Sequence, residues 1–317
     1  MADLLTISDL SIAIDTGEGT VWPVREVSLS LAPGETLGLV GESGCGKTLT
    51  CLSITGLLKR PVRLAGGSIM LQGHELTVPA ERAFRHRQIG MIFQNPLSCL
   101  NPVRTIGWQV AEAYHLRTGA PMRAARREAL ALLERVGIPE PARRARDYPH
   151  QLSGGMNQRV MIAMAIAGNP ALLVADEATT ALDVTVQAQI LALLKELQQE
   201  FGMGLLFVTH DLGLVAEVAD QVAVMYAGRV VEHGAAGQVF STPRHPYTSG
   251  LLACLPLVDE DVARLSPIEG MVPPLGAMPP GCAFAPRCAY VHARCLAAAP
   301  PLDQGVACYA PLLEQAA

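Results

Sequence analysis

No stretch of this chain of 317 residues approaches the run of about 18 apolar residues that a membrane-spanning helix requires. Its first residues lack the basic-then-apolar pattern of a secretory signal. Basic charge is not in excess either, since the formal net charge is −5, and this argues against a general nucleic-acid-binding surface. The eight cysteines include no C-x-x-C step, so the spacing of a zinc ribbon is missing. These absences lead to the expectation of a cytoplasmic protein that meets a membrane only through a partner. Its cysteines then serve burial or metal binding rather than disulfides. The length suits one large domain with an appendage, or two domains.

What is present is organised around Gly41-Glu42-Ser43-Gly44-Cys45-Gly46-Lys47-Thr48, which fits G-x-x-x-x-G-K-[ST]. The preceding run Thr36-Leu37-Gly38-Leu39-Val40 reads as a short buried strand, the context a phosphate-binding loop needs. Glycines let backbone N–H groups turn inward around phosphate oxygens, and a helix starting near Lys47 aims its positive dipole end at the same point. Lys47 is placed to reach the β/γ-phosphates and Thr48 to ligate Mg²⁺. A glycine-rich turn with a stray lysine is the bland alternative.

Short β-like runs over 3–14 and 27–31 precede the loop, with a turn at Thr16-Gly17-Glu18-Gly19. A helical pattern follows it and stops before Pro61. Strands are expected at Gly66–Leu71 and Gly90–Phe93, the latter ending in Gln94-Asn95-Pro96 and a polar loop through Pro102. Between 103 and 147 the texture is helical, clearest over Met122 to Val136. The arginines of this segment read as a solvated face rather than a nucleic-acid patch, because acidic residues interleave. Ser153 is a good N-cap, so the helix after Leu152-Ser153-Gly154-Gly155-Met156 has a second N-terminus suited to an anion. The apolar strand Leu172–Ala175 runs into Asp176-Glu177, where one carboxylate is placed to hold a metal and its neighbour to polarise water. A further strand at Leu205–Thr209 ends in His210, a residue type more often structural than catalytic at such a place. Strands and helices alternate, which predicts a mainly parallel α/β sheet. From about 241 the composition turns Pro-rich.

In this order the loop at 41–48, Gln94, Leu152 to Met156, Asp176-Glu177 and His210 resemble the Walker A, Q-loop, signature, Walker B and H-loop of ABC transporter nucleotide-binding subunits. The resemblance covers about residues 4–240. Beyond it, Thr242-Pro243-Arg244-His245-Pro246-Tyr247-Thr248 and Gly281 to Cys288 are similar to the tail of dipeptide/oligopeptide importer ATPases. It implies an ABC-type P-loop NTPase with a RecA-like core, an N-terminal antiparallel β-subdomain, an inserted helical subdomain at about 95–158 and a small irregular Cys-containing tail. The nucleotide-binding domain is then 1–240 and the extension 241–317.

The implied roles follow residue by residue. Gly41, Ser43, Gly44, Cys45, Gly46 and Lys47 bind the ATP phosphates, and Thr48, Asp176 and Gln94 organise Mg²⁺. Gln94 also contacts the attacking water, Glu177 is the general base and His210 holds the γ-phosphate. Ser153, Gly154 and Gly155 cap ATP bound by a second ATPase subunit, a related chain in a heterodimer, and Ala181-Leu182-Asp183 is the D-loop. Two transmembrane permease subunits and, indirectly, an extracytoplasmic substrate-binding protein are the remaining partners, with no nucleic acid. The protein is then peripheral on the cytoplasmic face of a bacterial inner membrane, and ATP hydrolysis drives uptake of di- or oligopeptides. Nickel complexes or other small solutes are the alternative cargo. A soluble ABC ATPase is the rival class, but no coiled-coil, zinc or tandem-domain insertion interrupts 41–210. A non-hydrolysing partner of an asymmetric pair is the other rival, disfavoured because no motif residue is lost.

The match departs at Ala178, where proline is common, and at Asn157, where a basic residue is usual and a weaker interface contact is implied. Counting back to the usual adenine-stacking aromatic lands near Glu18 and Gly19, with Trp22 the nearest aromatic. In the tail, Cys282, Cys288, Cys295 and Cys308 supply four thiols for an iron–sulfur cluster or zinc, or else are simply buried. Some peptide-importer ATPases carry a [4Fe–4S] cluster in this tail, and the resemblance extends that reading here.

Overall fold

The computed structural model describes residues 3–17, 19–179, 183–254 and 268–312. They divide between two compact units, one made of Met1–Leu4, Leu31–Glu35 and Gln72–Val208, the other of Leu5–Ser30, Thr36–Leu71 and Thr209–Ala317.

In the first unit the strands Ile89–Ile92, Leu172–Asp176 and Gly204–Val208 pair in parallel, with Ile92 opposite Ala175 and Asp176 opposite Val208. Every residue of the last two strands is buried, which is why they read as unbroken apolar runs rather than alternating ones. The segment between the first two strands is helical. Its longer helices are Ile106–Thr118, Met122–Arg135 and Gly154–Ile166. The expected loop after Gln94 contains a helical turn, Pro96–Cys99, because the Asn95 side chain accepts the Leu97 N–H and Pro96 supplies a preset φ. Helix Val184–Phe201 starts at Asp183, whose carboxylate accepts the Val186 N–H, and stops at Gly202 in the left-handed region.

In the second unit the strand Thr36–Val40 pairs in parallel with Gln221–Tyr226, which pairs antiparallel with Arg229–Ala235. A second, antiparallel sheet joins Leu5–Thr16 to Val62–Leu71, with Gly19–Leu31 on its other side. The strand Val62–Leu71 starts earlier than its apolar residues suggest, because pairing continues to Ile14 opposite Val62. The helix after the phosphate loop is shorter than expected, Lys47–Thr55. Gly56 turns left-handed, and its N–H bonds to the Leu52 and Ser53 carbonyls, ending the helix well before Pro61. Among the described residues no helix is long and apolar enough to cross a membrane.

The described tail is held to this unit by backbone and by one buried acid. Residue 307 donates to Val231 and His233 donates to Gly305, both at 2.8 Å. The buried Glu232 carboxylate accepts the Arg244 N–H at 2.7 Å and the His245 N–H at 3.0 Å. His245 in turn caps the helix Pro246–Ala253, its Nδ1 accepting the Tyr247 N–H at 3.0 Å. Only a neutral ring can accept there, and burial pushes the His245 pKa down to about 3 from 6.5.

That shift has a definite sign. Below pH 6.5 the unfolded chain takes up a proton that the folded chain refuses until about pH 3, so stability falls with pH across that window by about 1.4 kcal/mol per unit. Urea unfolding at a series of pH values is expected to show a shallower acid loss for His245→Asn, which keeps a capping oxygen but has no titrating ring.

Candidate functional site

The phosphate loop leaves the strand Thr36–Val40 and enters helix Lys47–Thr55 within the second unit. Gly41 has φ 148° and faces the Met225 carbonyl oxygen so closely that a Cβ would collide with it. Gly46 has φ 105°, and a Cβ there would lie 2.8 Å from the Pro23 carbonyl oxygen. The loop thus passes where only glycine fits at both ends. Gly46 caps the helix without a side-chain bond of its own, and a helix N-terminus is where backbone N–H groups can meet an anion. Lys47 is buried, and its Nζ donates to the Gly41 carbonyl at 2.7 Å and the Glu42 carbonyl at 3.1 Å. Ser43, Gly44 and Thr48 are exposed at the mouth of the loop, whereas Cys45 is buried and its thiol is pushed up by that burial.

Two further predicted residues belong to this unit. The exposed His210 follows Thr209, whose N–H bonds to the Leu39 carbonyl at 3.3 Å. The residue before His210 is thus tied to the strand feeding the loop. Trp22 is 42% exposed, and its chain neighbours Pro23 and Val24 are the groups that crowd Gly46. Counting back from the loop points to Glu18 and Gly19, but the backbone brings Trp22's own segment against the loop.

The first unit assembles the others. Asp176 is the last residue of the buried strand Leu172–Asp176 and is 4% exposed. Glu177 leaves the strand with φ 49°, a left-handed conformation unusual for this residue type, and its N–H donates to the Val208 carbonyl at 2.9 Å. The Gln94 side-chain amide donates to Glu177 Oε2 at 2.7 Å. Sequence spacing had no means of pairing these two, which stand 83 positions apart. Asp176, Glu177 and Gln94 present oxygen donors of the hard kind that suits Mg²⁺.

Ser153 caps helix Gly154–Ile166, its Oγ accepting the Met156 N–H at 3.3 Å, and Ser153 and Gly154 are exposed. This helix is tied to the segment after Glu177 through the buried Gln158, whose amide donates to the Ala178 carbonyl at 2.6 Å. Asn157 is 1% exposed, and its side-chain amide donates to the Pro149 carbonyl at 3.0 Å, inside its own unit. Ala181 and Leu182 of the expected D-loop lie outside the described residues.

Cys282, Cys288, Cys295 and Cys308 line one small cavity of about 20 Å³ together with His245 and Phe284. Burial raises the Cys282, Cys288 and Cys308 thiols above their ordinary range. Among the described residues no three His, Cys, Asp or Glu side chains are grouped so as to hold a metal ion, and the cavity has room for about one water. Four thiols are the donor set of a cluster, but no grouping that could hold one is found among the described residues, so the structure lends the iron–sulfur expectation no support.

Replacing Gln158 by Leu removes the donor to a carbonyl on a residue that is 1% exposed. The expected loss is about 1–3 kcal/mol of stability, read as a lower urea midpoint with an unchanged slope.

Known proteins resemble the chain along its length. Residues 24–180 match the ABC transporter family, and residues 231–295 match the oligopeptide/dipeptide transporter C-terminal region. A protein of Brucella abortus (strain 2308) named "Putative peptide import ATP-binding protein" is 50% identical over 275 residues, 86% of this chain and 83% of the relative. A like-named protein of Brucella melitensis biotype 1 is 50% identical over 314 residues, 94% of this chain and 93% of its own. Among solved structures, the dimeric post-hydrolysis ATP-binding cassette MJ0796 with ADP and Pi has TM-score 0.66 and 28% identity, over 73% of this chain and 98% of its own. The cbiO1 protein from Clostridium perfringens, part of the ABC transporter complex cbiONQ, has TM-score 0.65 and 27% identity, over 76% and 92%. With half its residues shared with such relatives over nearly its whole length, and with the ABC ATPase fold, this chain belongs to the ABC transporter family, among the ATP-binding subunits of the dipeptide/oligopeptide importer type.

Proposed function

We propose that the chain is the ATP-hydrolysing subunit of an importer whose cargo is a di- or oligopeptide. The observation that carries the hydrolytic part is the bond from Gln94 to the Glu177 carboxylate at the end of a buried strand. A carboxylate held in a left-handed turn has its orientation fixed before substrate arrives. The peptide part rests on the C-terminal match and on the relatives' names.

In this reading the amides of Gly41 to Gly46 and the Lys47 ammonium hold the ATP phosphates, while the adenine stacks on Trp22. The Thr48 hydroxyl, Asp176 and Gln94 serve as oxygen ligands to Mg²⁺, which when bound with ATP neutralises charge on the phosphate oxygens. Glu177 takes a proton from the attacking water at a carboxylate oxygen, with Gln94 fixing that carboxylate, and His210 contacts the γ-phosphate. Ser153, Gly154 and Gly155 face ATP on a second ATPase subunit, a related chain. A sandwiched phosphate joins two helix N-termini, and its hydrolysis releases them. Residues 1–240 act as the nucleotide-binding domain, with the helical part near 95–158 meeting two permease subunits on the cytoplasmic face of the inner membrane. Residues 241–317 form the importer-type extension, and an extracytoplasmic binding protein delivers the cargo. A cluster on the four tail cysteines is a second reading, favoured only by their convergence on one cavity. A chain purified without oxygen and found free of iron and sulfide leaves them as buried thiols.

Two outcomes test the main reading. In lipid with its permease subunits, ATP hydrolysis is expected to rise with peptide-loaded binding protein and to be abolished by Glu177→Gln, while ATP binding persists. Hydrolysis that ignores both the membrane partner and peptide overturns the transport assignment. Trp22→Ala is expected to weaken ATP binding by roughly 1–2 kcal/mol, the scale of one aromatic stacking contact on a base, measured by displacement of a fluorescent nucleotide.

A further inference from the structure

Resting on the ATP-binding reading above, we propose that Arg287 and Tyr247 of the C-terminal tail are positioning residues for the phosphate loop, acting through Glu42. Nothing in the loop motif predicts this, because Glu42 occupies one of its variable positions. In the folded chain Glu42 is instead anchored at its N–H, its carboxylate and its carbonyl. Its N–H donates to the Tyr247 hydroxyl at 2.9 Å. Its carboxylate accepts from Arg287 Nη1 at 2.9 Å. Its carbonyl accepts from Lys47 Nζ at 3.1 Å. Two of these three bonds come from the tail, 205 and 245 positions away.

Both tail groups are themselves immobilised. The Arg287 side chain is 5% exposed, and its remaining donors are used: Nε to the Glu269 carbonyl at 3.0 Å and Nη2 to the Ile268 carbonyl at 3.2 Å. Burial alone would lower its pKa, but the bonds to Glu42 and Tyr226 outweigh that and raise it, so the cation is permanent. Tyr247 is fully buried, and burial pushes its phenol up, keeping the hydroxyl protonated. Its ring packs 4.6 Å from Tyr226 and 5.4 Å from Phe284, centroid to centroid. Tyr226 directly follows Met225, whose carbonyl blocks any Cβ at Gly41. The tail therefore holds the first turn of the loop from one side while the strand carrying Met225 holds it from the other.

The consequence is preorganisation. A glycine-rich loop is costly to order, and a loop ordered before ATP arrives binds it more tightly. The Glu42 N–H is taken by the tail at 2.9 Å, and the Glu42 carbonyl accepts the Cys45 N–H at 3.3 Å, so the anchored residue also fixes the turn that follows it. The geometry thus gives the importer-type tail a share in nucleotide affinity.

The test is the ATP affinity of the full chain, read by displacement of a fluorescent nucleotide, alongside thermal unfolding. Arg287→Ala and Glu42→Gln are each expected to weaken ATP binding about tenfold, equal to about 1.4 kcal/mol. The double variant is expected to be no weaker than the worse single one, because both break the same bond. Arg287→Lys is expected to restore part of the loss, since it keeps the charge without the planar fork. Tyr247→Phe removes one oxygen and is expected to weaken ATP in a chain that still unfolds cooperatively, so it decides the matter where Arg287→Ala does not fold. Variants that lose melting temperature but keep wild-type ATP affinity overturn the clamp, as do losses that add in the double variant. A wild-type chain that does not bind ATP overturns the ATPase reading and this one together, whereas a wild type that binds alongside unaffected variants overturns the clamp alone.

Discussion

The close approach of the backbone at Gly41 and Gly46 is the constraint on which the nucleotide site depends. At one end a carbonyl of the neighbouring strand occupies the place of a side chain, and at the other Pro23 does so. A loop pressed from both sides cannot relax into an ordinary turn. Gly46 at the helix start brings no capping side chain of its own, and a helix N-terminus favours an anion there. Lys47, buried against the carbonyls of Gly41 and Glu42, adds positive charge at the same place.

The first unit solves a different problem, how to hold two adjacent carboxylates at the end of an apolar strand. Asp176 remains in the strand and is buried. Glu177 turns out of it through a left-handed residue, secured by the Val208 carbonyl on its N–H and by Gln94 on its carboxylate. The backbone strain of such a residue, of order 1–3 kcal/mol, is sustained by those fixed partners. Gln158 then connects the same turn to the helix capped by Ser153. The helix capped by Ser153 and the carboxylate turn therefore share one hydrogen-bonded framework inside one unit.

The tail illustrates how little a composition shift reveals. Residues past 241 look like a Pro-rich appendage, yet their described part contributes an aromatic cluster of Tyr247 and Phe284 around Tyr226 and an ion pair from the buried Arg287 to the phosphate loop. Glu232 and His245 fix where this segment starts, one as a buried acceptor and the other as a neutral cap. Cys282, Cys288, Cys295 and Cys308, spread over the tail's sequence, converge on one cavity of about 20 Å³.

Much of the site was legible in residue order alone, for a physical reason: phosphate loops, helix caps and buried strands are local devices. Gly41 to Thr48, the Ser153 cap and the apolar strand ending at Asp176 each depend on neighbours within a few positions, so the chain by itself determined their form. Helix ends were less legible, as at Gly56, because several residues there can stop a helix and only one takes the left-handed turn. What tertiary structure alone decided is everything that needs two distant segments to meet. The bond between Gln94 and Glu177, the seating of Trp22's segment against Gly46 and the hold of Tyr247 and Arg287 on Glu42 have no local signal. Hydrogen bonds and ion pairs are chosen by the folded backbone that brings their partners within reach, and separations of 83 to 245 positions leave no periodicity from which to read them.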